Sequence, residues 1–338
     1  MFGGGRKLKH RPLGIGFTGA PYGIRNIVKF ARGAERRGFS SFWFAEDYYL
    51  RDAISNVSCV AYSTENIRVS TGIINPFTRH PVLIAETMAT LDELSDGRAN
   101  LALGTGVLPL IKRMGISVHH PALAMREAVF VIRSLLEGKK LNFTGEVFST
   151  EDVVLGDNPY LQSSDGFPRL SNIPIYLAAI GPKMLALAGE VADGVLLTVG
   201  LGPENVERSL REIEKGAAKA DRSAKELDTA GYVLTCLGSP GRSIKRFSAF
   251  RLAHASSEDL TVVGVPERIV NEVREAYMKN GIDSASLLVT DKTASYFAAF
   301  GTKEQIEGRI EEFRKSGLTH PILMPRDTNP LELMNSLA

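Results

Sequence analysis

The sequence predicts an α/β chain closed into a (β/α)8 TIM barrel, on three observations. Short apolar runs alternate with amphipathic stretches of roughly 12 to 18 residues, the pattern of repeated strand–helix units. Eight such pairs can be counted without a central break, and 338 residues with no obvious linker suit one barrel. A doubly wound open sheet is the alternative architecture, disfavoured by the even spacing.

The first strand is expected at 13–17, with an amphipathic helix at 24–37 stopped by Gly38, which supplies the left-handed turn after a helix. A strand at 41–45 and a helix at 53–64 make the second unit. The third pairs 68–74 with 81–94, where Pro81 opens the helix at no cost because first-turn N–H groups are unpaired anyway. Gly97 closes it. Strands at 99–103, 173–178 and 194–198 precede helices at 121–136, 182–192 and 203–220, opened by Pro121, Pro182 and Pro203. The seventh strand, 229–235, is paired with a helix at 302–315 closed by Gly317, and the eighth, 320–324, with a short helix at the C-terminus. Two segments exceed the barrel's needs. Residues 142–170, polar and turn-rich, form an insertion after helix 4; residues 237–288, with further helical periodicity, form one after strand 7, placed to cover a ligand as a lid. Residues 1–12, glycine-rich and basic, read as a flexible tail preceding a single domain at 13–338.

Composition narrows the partners. Hydrophobic residues are 44% of the chain and charged residues 23%, ordinary for a globular protein. Lys+Arg 40 against Asp+Glu 38 leaves a formal charge of +2, too little to favour nucleic acid or an anionic membrane. The longest apolar runs fall short of the ~20 residues that a spanning helix needs. Cys59 and Cys236 are far apart in apolar stretches and are expected as reduced core thiols, which fits the cytoplasm.

Several chemistries drop out. Gly14-Ile15-Gly16 is inside a strand and leads to Phe17-Thr18-Gly19, so the dinucleotide fingerprint is missing, as are phosphate-loop, HExxH and CxxC patterns. His80, His119 and His120 precede prolines without ligand-like spacing and read as loop or cap residues, so no metal is expected. What remains is the set of strand ends where a barrel places its active site. Strand 2 ends in Glu46-Asp47, two carboxylates after an apolar run, read as candidate catalytic groups or ring anchors, with a salt bridge to Arg51 as the plainer alternative. Strand 3 ends in Thr71-Gly72-Ile73-Ile74-Asn75-Pro76, where the glycine suggests a bulge or a close backbone approach to a ligand. Strand 4 ends in Gly104-Thr105-Gly106, and strand 5 in Ala178-Ala179-Ile180-Gly181-Pro182, a helix start able to cradle phosphate, or simply a tight loop. Lys183 reads as solvated.

These residues, together with Phe77-Thr78-Arg79-His80-Pro81 and the run from Ala85-Glu86-Thr87-Met88 to Leu94-Ser95-Asp96-Gly97-Arg98, resemble the bacterial luciferase-like superfamily. Ile173-Pro174-Ile175-Tyr176 and Ala188-Gly189-Glu190-Val191-Ala192-Asp193-Gly194 are most similar to its methylenetetrahydromethanopterin reductase branch. The resemblance covers most of the barrel from residue 13 to about 202 and returns at Phe300-Gly301-Thr302. It implies a homodimeric oxidoreductase acting on a small organic substrate and binding coenzyme F-420, an 8-hydroxy-5-deazaflavin, or alternatively FMN. It also implies a cofactor cradle of Gly72, Ile73, Ile74, Asn75, Gly104, Thr105, Gly106, Ala178, Ala179, Ile180, Gly181 and Pro182, with a cis peptide between Gly72 and Ile73. Positions where that reductase carries polar groups hold Gly16, Glu46-Asp47 and Val107 here. The expected reaction is hydride transfer with Glu46 as acid or anchor; an FMN monooxygenase and a non-catalytic flavin-binding protein are the alternatives.

Overall fold

The computed structural model describes residues 12–158, 172–197 and 202–337. The expectations for the N-terminal tail up to residue 11, for 159–170 of the first insertion and for the sixth strand's last residue, 198, lie outside them.

Strands β1 (Gly14–Thr18), β2 (Ser41–Ala45), β3 (Arg68–Thr71) and β4 (Ala99–Leu103) pair in order. The antiparallel hairpin β5 (Leu141–Thr144) and β6 (Ser149–Val153) interrupts the series, which β7 (Ile175–Ala179), β8 (Gly194–Leu197), β9 (Asp228–Leu237), β10 (Ala298–Gly301) and β11 (His320–Pro325) resume. β4 pairs with β7, β7 with β8, β8 with β9, β9 with β11 and β11 with β1, all parallel. The ring of eight is closed, so the open-sheet alternative falls. β10 stands outside the ring, paired with the upper half of β9 beyond the reach of β8.

The strands read as continuous apolar runs because both their faces are buried, with alternate residues serving different cores. On β2, Phe42 and Phe44 point outward to the helices, whereas Trp43 points inward, edge-on to the Tyr176 ring, into a second core that also holds Leu196, Tyr232 and Met324. Gly16 faces the same interior, and a Cβ there would come 2.7 Å from the Tyr232 ring. Toward the N-terminal end the interior is polar but paired. The Tyr176 hydroxyl donates to Asp228 at 2.9 Å, His320 Nδ1 lies 3.1 Å from the same carboxylate, and its Nε2 lies 2.7 Å from the Ser41 hydroxyl. These hydrogen bonds hold the Asp228 carboxyl below the usual carboxylate range against the opposing effect of its burial, so this end reads as structural.

The outer layer follows the predicted order: α1 (Ile24–Glu35), α2 (Ala53–Ser63), α3 (Pro81–Leu94), a short α4 (Leu108–Arg113), then α5 (Pro121–Leu136), α6 (Pro182–Val191) and α7 (Pro203–Lys219). Gly38, Gly97 and Gly317 adopt positive φ, as their places after helices require. His80 caps α3, its Nδ1 accepting from the Val82 N–H at 3.3 Å. Buried Glu127 on α5 accepts N–H groups of Glu146, Val147 and Phe148, which ties the hairpin insertion to the barrel. The second insertion folds into α8 (Arg242–His254), α9 (Ser257–Val263) and α10 (Glu267–Leu287), and the extra structure runs on through α11 (Asp291–Ala294) and β10. α12 (Lys303–Lys315) and α13 (Pro330–Leu337) complete the layer.

One expectation needs correction. Cys236 is a buried free thiol as anticipated, but Cys59 is exposed: it falls on the outer face of α2, while Val57, Val60 and Ala61 occupy the inner one.

Candidate functional site

At the C-terminal ends of the strands lies a cavity of about 700 Å³. Eleven of the fourteen residues anticipated for the site line it. Glu46 and Asp47 do so together, because β2 ends at Ala45 and the chain beyond it no longer alternates between faces. The expected alternative, an ion pair with Arg51, does not form; that guanidinium donates to the Gly19 carbonyl at 2.5 Å.

Gly72 and Ile73 line the wall, and the peptide between them is cis. The register shows the bulge that the glycine suggested. From the Ser70↔Asn100 pair to the Ile74↔Leu103 bridge, β3 takes four steps against three on β4. The Tyr232 hydroxyl, buried in the barrel, donates to the Gly72 carbonyl at 2.8 Å, and the Ile73 carbonyl accepts the Glu46 N–H at 3.3 Å. Gly104, Thr105 and Gly106 continue the wall from β4, and Ala178, Ala179, Ile180 and Gly181 from β7. A Cβ on Gly104 would press at 3.1 Å on both Ala178 and Ile73, so the three strand ends make a flat surface of backbone and small groups.

Three anticipated residues do not face the cavity. Ile74 is buried in the layer between strands and helices, since the bulge turns it outward. Asn75 lies behind the wall: its amide donates to the Tyr48 hydroxyl at 2.6 Å and its carbonyl accepts from Phe77 and Thr78. Pro182 opens α6 and lines a separate open groove on the outer surface together with Lys183, itself exposed as expected.

Sequence reasoning named no single residue of the opposite half of the cavity, although the segment 237–288 that it expected over a ligand supplies three of them. Thr18 from β1, Tyr232 and Leu234 from β9, Met324 from β11, Arg326 just beyond it, and Phe247, Phe250 and Arg251 from α8 all line it. Only barrel closure brings these positions beside Glu46.

The two carboxylates sit in different fields. Burial pushes the Glu46 carboxyl up to about 7, aided by the charge of Asp52 and opposed by the Ala53 N–H and Arg79. Burial also raises Asp47, but the Thr18 hydroxyl, the Gly19 N–H and the charge of Arg326 favour its ionised form. Burial, followed by the Glu46 charge, pushes the Tyr48 phenol up to about 12, so it is a neutral hydroxyl at physiological pH. The mouth therefore combines a flat wall, an acid able to gain or lose a proton near neutrality, and a partly shielded cationic side. Among the described residues no cluster of His, Cys, Asp and Glu is arranged to hold a metal ion, and no helix is long and apolar enough to cross a membrane.

The chain is similar in sequence and fold to known proteins. The profile of a family described as luciferase-like monooxygenase matches residues 12–320. The chain is 34% identical to the 5,10-methylenetetrahydromethanopterin reductase of Archaeoglobus fulgidus, over 89% of each protein. It is 26% identical to an F420-dependent glucose-6-phosphate dehydrogenase of Beutenbergia cavernae, over 91% of this chain and 89% of that one. Among solved structures, the coenzyme F420 dependent tetrahydromethanopterin reductase from Methanopyrus kandleri superposes with a TM-score of 0.84 at 27% identity, covering 96% of both chains.

Proposed function

We propose that this chain, which belongs to the luciferase-like monooxygenase family, is an oxidoreductase that binds coenzyme F-420 in the cavity at the strand ends and transfers hydride to or from a small organic molecule. The observation that carries the reading is the meeting of the flat Gly72–Ile73, Gly104 and Ala178 wall with Glu46 in one cavity. The relatives named for F420-dependent reactions support the choice of cofactor.

The residues fit a planar ring. Backbone and small side chains at Gly72, Ile73, Gly104 and Ala178 would hold its face, and Ala179, Ile180 and Gly181, running into the N-terminus of α6, would receive the substituent that carries its phosphate. When bound, the deazaflavin supplies or accepts the hydride. The chain's own part is to orient the partners, exclude water and move a proton. The Glu46 carboxyl, held near 7, donates a proton below that pH and accepts one above it. Asp47, Thr18 and Arg326 form a charged side that fixes the mouth beside it. Phe247 and Phe250 of the second insertion add apolar surface to the cavity lining.

Fluorescence titration of the purified protein with F-420 and, separately, with FMN tests the assignment. F-420 is expected to bind at least about tenfold more tightly, a difference of roughly 1.4 kcal/mol. Tighter binding of FMN would instead favour the monooxygenase reading that the family's name carries.

We propose separately that the chain is a cytoplasmic homodimer. Tyr62 on α2 and Leu83 on α3 are apolar side chains left exposed on neighbouring helices, and both cysteines are free. Light scattering should give twice the chain mass of 36.8 kDa, and a monomer mass would reject the dimer.

A further inference from the structure

Two guanidinium groups line the cavity without an anionic partner in contact. Arg251, on α8, forms no hydrogen bond or ion pair through its side chain among the described residues, and its Nε is shielded from solvent with no acceptor. The acid whose charge it feels, Asp259, is already engaged by Arg208 at 2.7 Å. Arg326, at the end of β11, has one long bond of 3.4 Å to the Pro325 carbonyl and faces the charge of Asp47. Burial lowers the pKa of both groups, the direction expected for cations short of counter-charge.

An Nε without an acceptor is shared by Arg98, Arg309 and Arg314, but other shielded arginines of the chain donate through their remaining nitrogens. Arg98 donates to the carbonyls of Ala61, Thr64 and Ile67, Arg222 to those of Gly189, Glu190 and Ala192, and Arg274 to those of Leu252 and Ala255. A guanidinium carries five donors and stays charged at any physiological pH, so leaving one unpaired beside Phe247 and Phe250 is costly unless something else completes it. Asp47 offsets Arg326. Arg251 has no such counter-charge in the cavity, since the acid whose charge it feels, Asp259, is not among the residues that line it.

Position separates the two ligands. The wall from β3, β4 and β7 is flat and uncharged, whereas Arg251 enters from α8 on the facing side. We propose that Arg251 anchors an anionic group of the substrate, a carboxylate or phosphate, whose apolar body packs against Phe247 and Phe250. This rests on the deazaflavin reading of the same cavity, which places the cofactor on the opposite wall.

The test uses benzoate and phenyl phosphate as anionic probes and benzamide as the neutral isostere of benzoate, with binding measured calorimetrically on the protein with and without F-420. At least one anion should bind wild type about tenfold or more tightly than benzamide, as a charge-assisted bidentate contact implies. That preference should vanish in Arg251→Gln and survive in part in Arg251→Lys, while F-420 affinity stays within about threefold in both. Equal binding of benzamide and both anions to wild type would overturn the proposal, as would an undiminished preference in a folded Arg251→Gln protein. The wild-type comparison needs no variant. A wild-type protein that binds the anions selectively but not F-420 would defeat the cofactor reading and leave the anchor standing.

Discussion

Glu46→Gln is expected to lower kcat by about 10²–10³-fold while changing deazaflavin affinity by less than about threefold, the range removed with a general acid or base. Glutamine keeps the shape of the side chain and its place against the Ala53 N–H, but it has no proton to exchange near pH 7. The wild-type profile gives a second check. Because burial and then the Asp52 charge hold the carboxyl at about 7, the substrate-reducing direction should lose rate as pH rises through that value, and the oxidising direction should lose rate as it falls. The variant should lose both limbs.

Linkage works in the same sense. The folded-state pKa of Glu46 lies above its ordinary value of 4.5, so its contribution to stability is complete below about 4.5 and is lost as pH rises through about 7. Glu46→Gln should flatten that part of the stability profile. An unchanged kcat with an unchanged pH profile would remove Glu46 from proton transfer.

The second large effect is expected at Gly72. An added Cβ would overlap the Tyr232 hydroxyl, which belongs to a ring buried in the barrel interior. Gly72→Ala should therefore cost about 3 kcal/mol, at the upper end for overpacking a core. Tyr232→Phe alone should cost about 1–2 kcal/mol, because the Gly72 carbonyl loses its 2.8 Å donor. The two should not add. With the hydroxyl gone, the nearest atoms to the new Cβ are the Tyr232 Cζ at 3.3 Å and the Trp43 Cε3 at 3.4 Å, close to ordinary contact. The double variant should thus be no less stable than Gly72→Ala alone, a coupling of about 1–2 kcal/mol in denaturant unfolding. Strict additivity would mean that Tyr232 does not brace the strand-three bulge.

The barrel was legible because its signals are local. Each strand is a short run buried on both faces, and Pro81, Pro121, Pro182 and Pro203 punctuate the helix starts as Gly38, Gly97 and Gly317 punctuate the ends. β10 was not legible: Ala298–Gly301 has no alternation of its own and is a strand only because β9 is long enough to pair beyond β8. α4, six residues with a proline at its start, is too short to carry a helical period.

The site divides the same way. Glu46, Gly72, Gly104 and Ala178 stand beside residues whose type is unusual for a strand end, so they could be found one strand at a time. Thr18, Tyr232 and Arg326 belong to segments up to 280 residues distant from Glu46, and no local pattern marks them; they acquire meaning when β11 closes on β1. Arg251 lies in the segment expected over a ligand, but nothing in that segment's periodicity singles it out. A buried arginine was the available signal, but in a linear sequence Arg251 looks like the satisfied Arg98. Ile74 and Asn75 went the other way, since a bulge alters which residues of a strand face inward.

The most direct measurement is a crystal structure of the protein soaked with F-420. Density for the ring against Gly72–Ile73, in contact with Gly104 and Ala178 and facing Glu46, is the expected result. Density in the outer groove lined by Pro182 and Lys183, or none at the strand ends at saturating cofactor, would contradict the account.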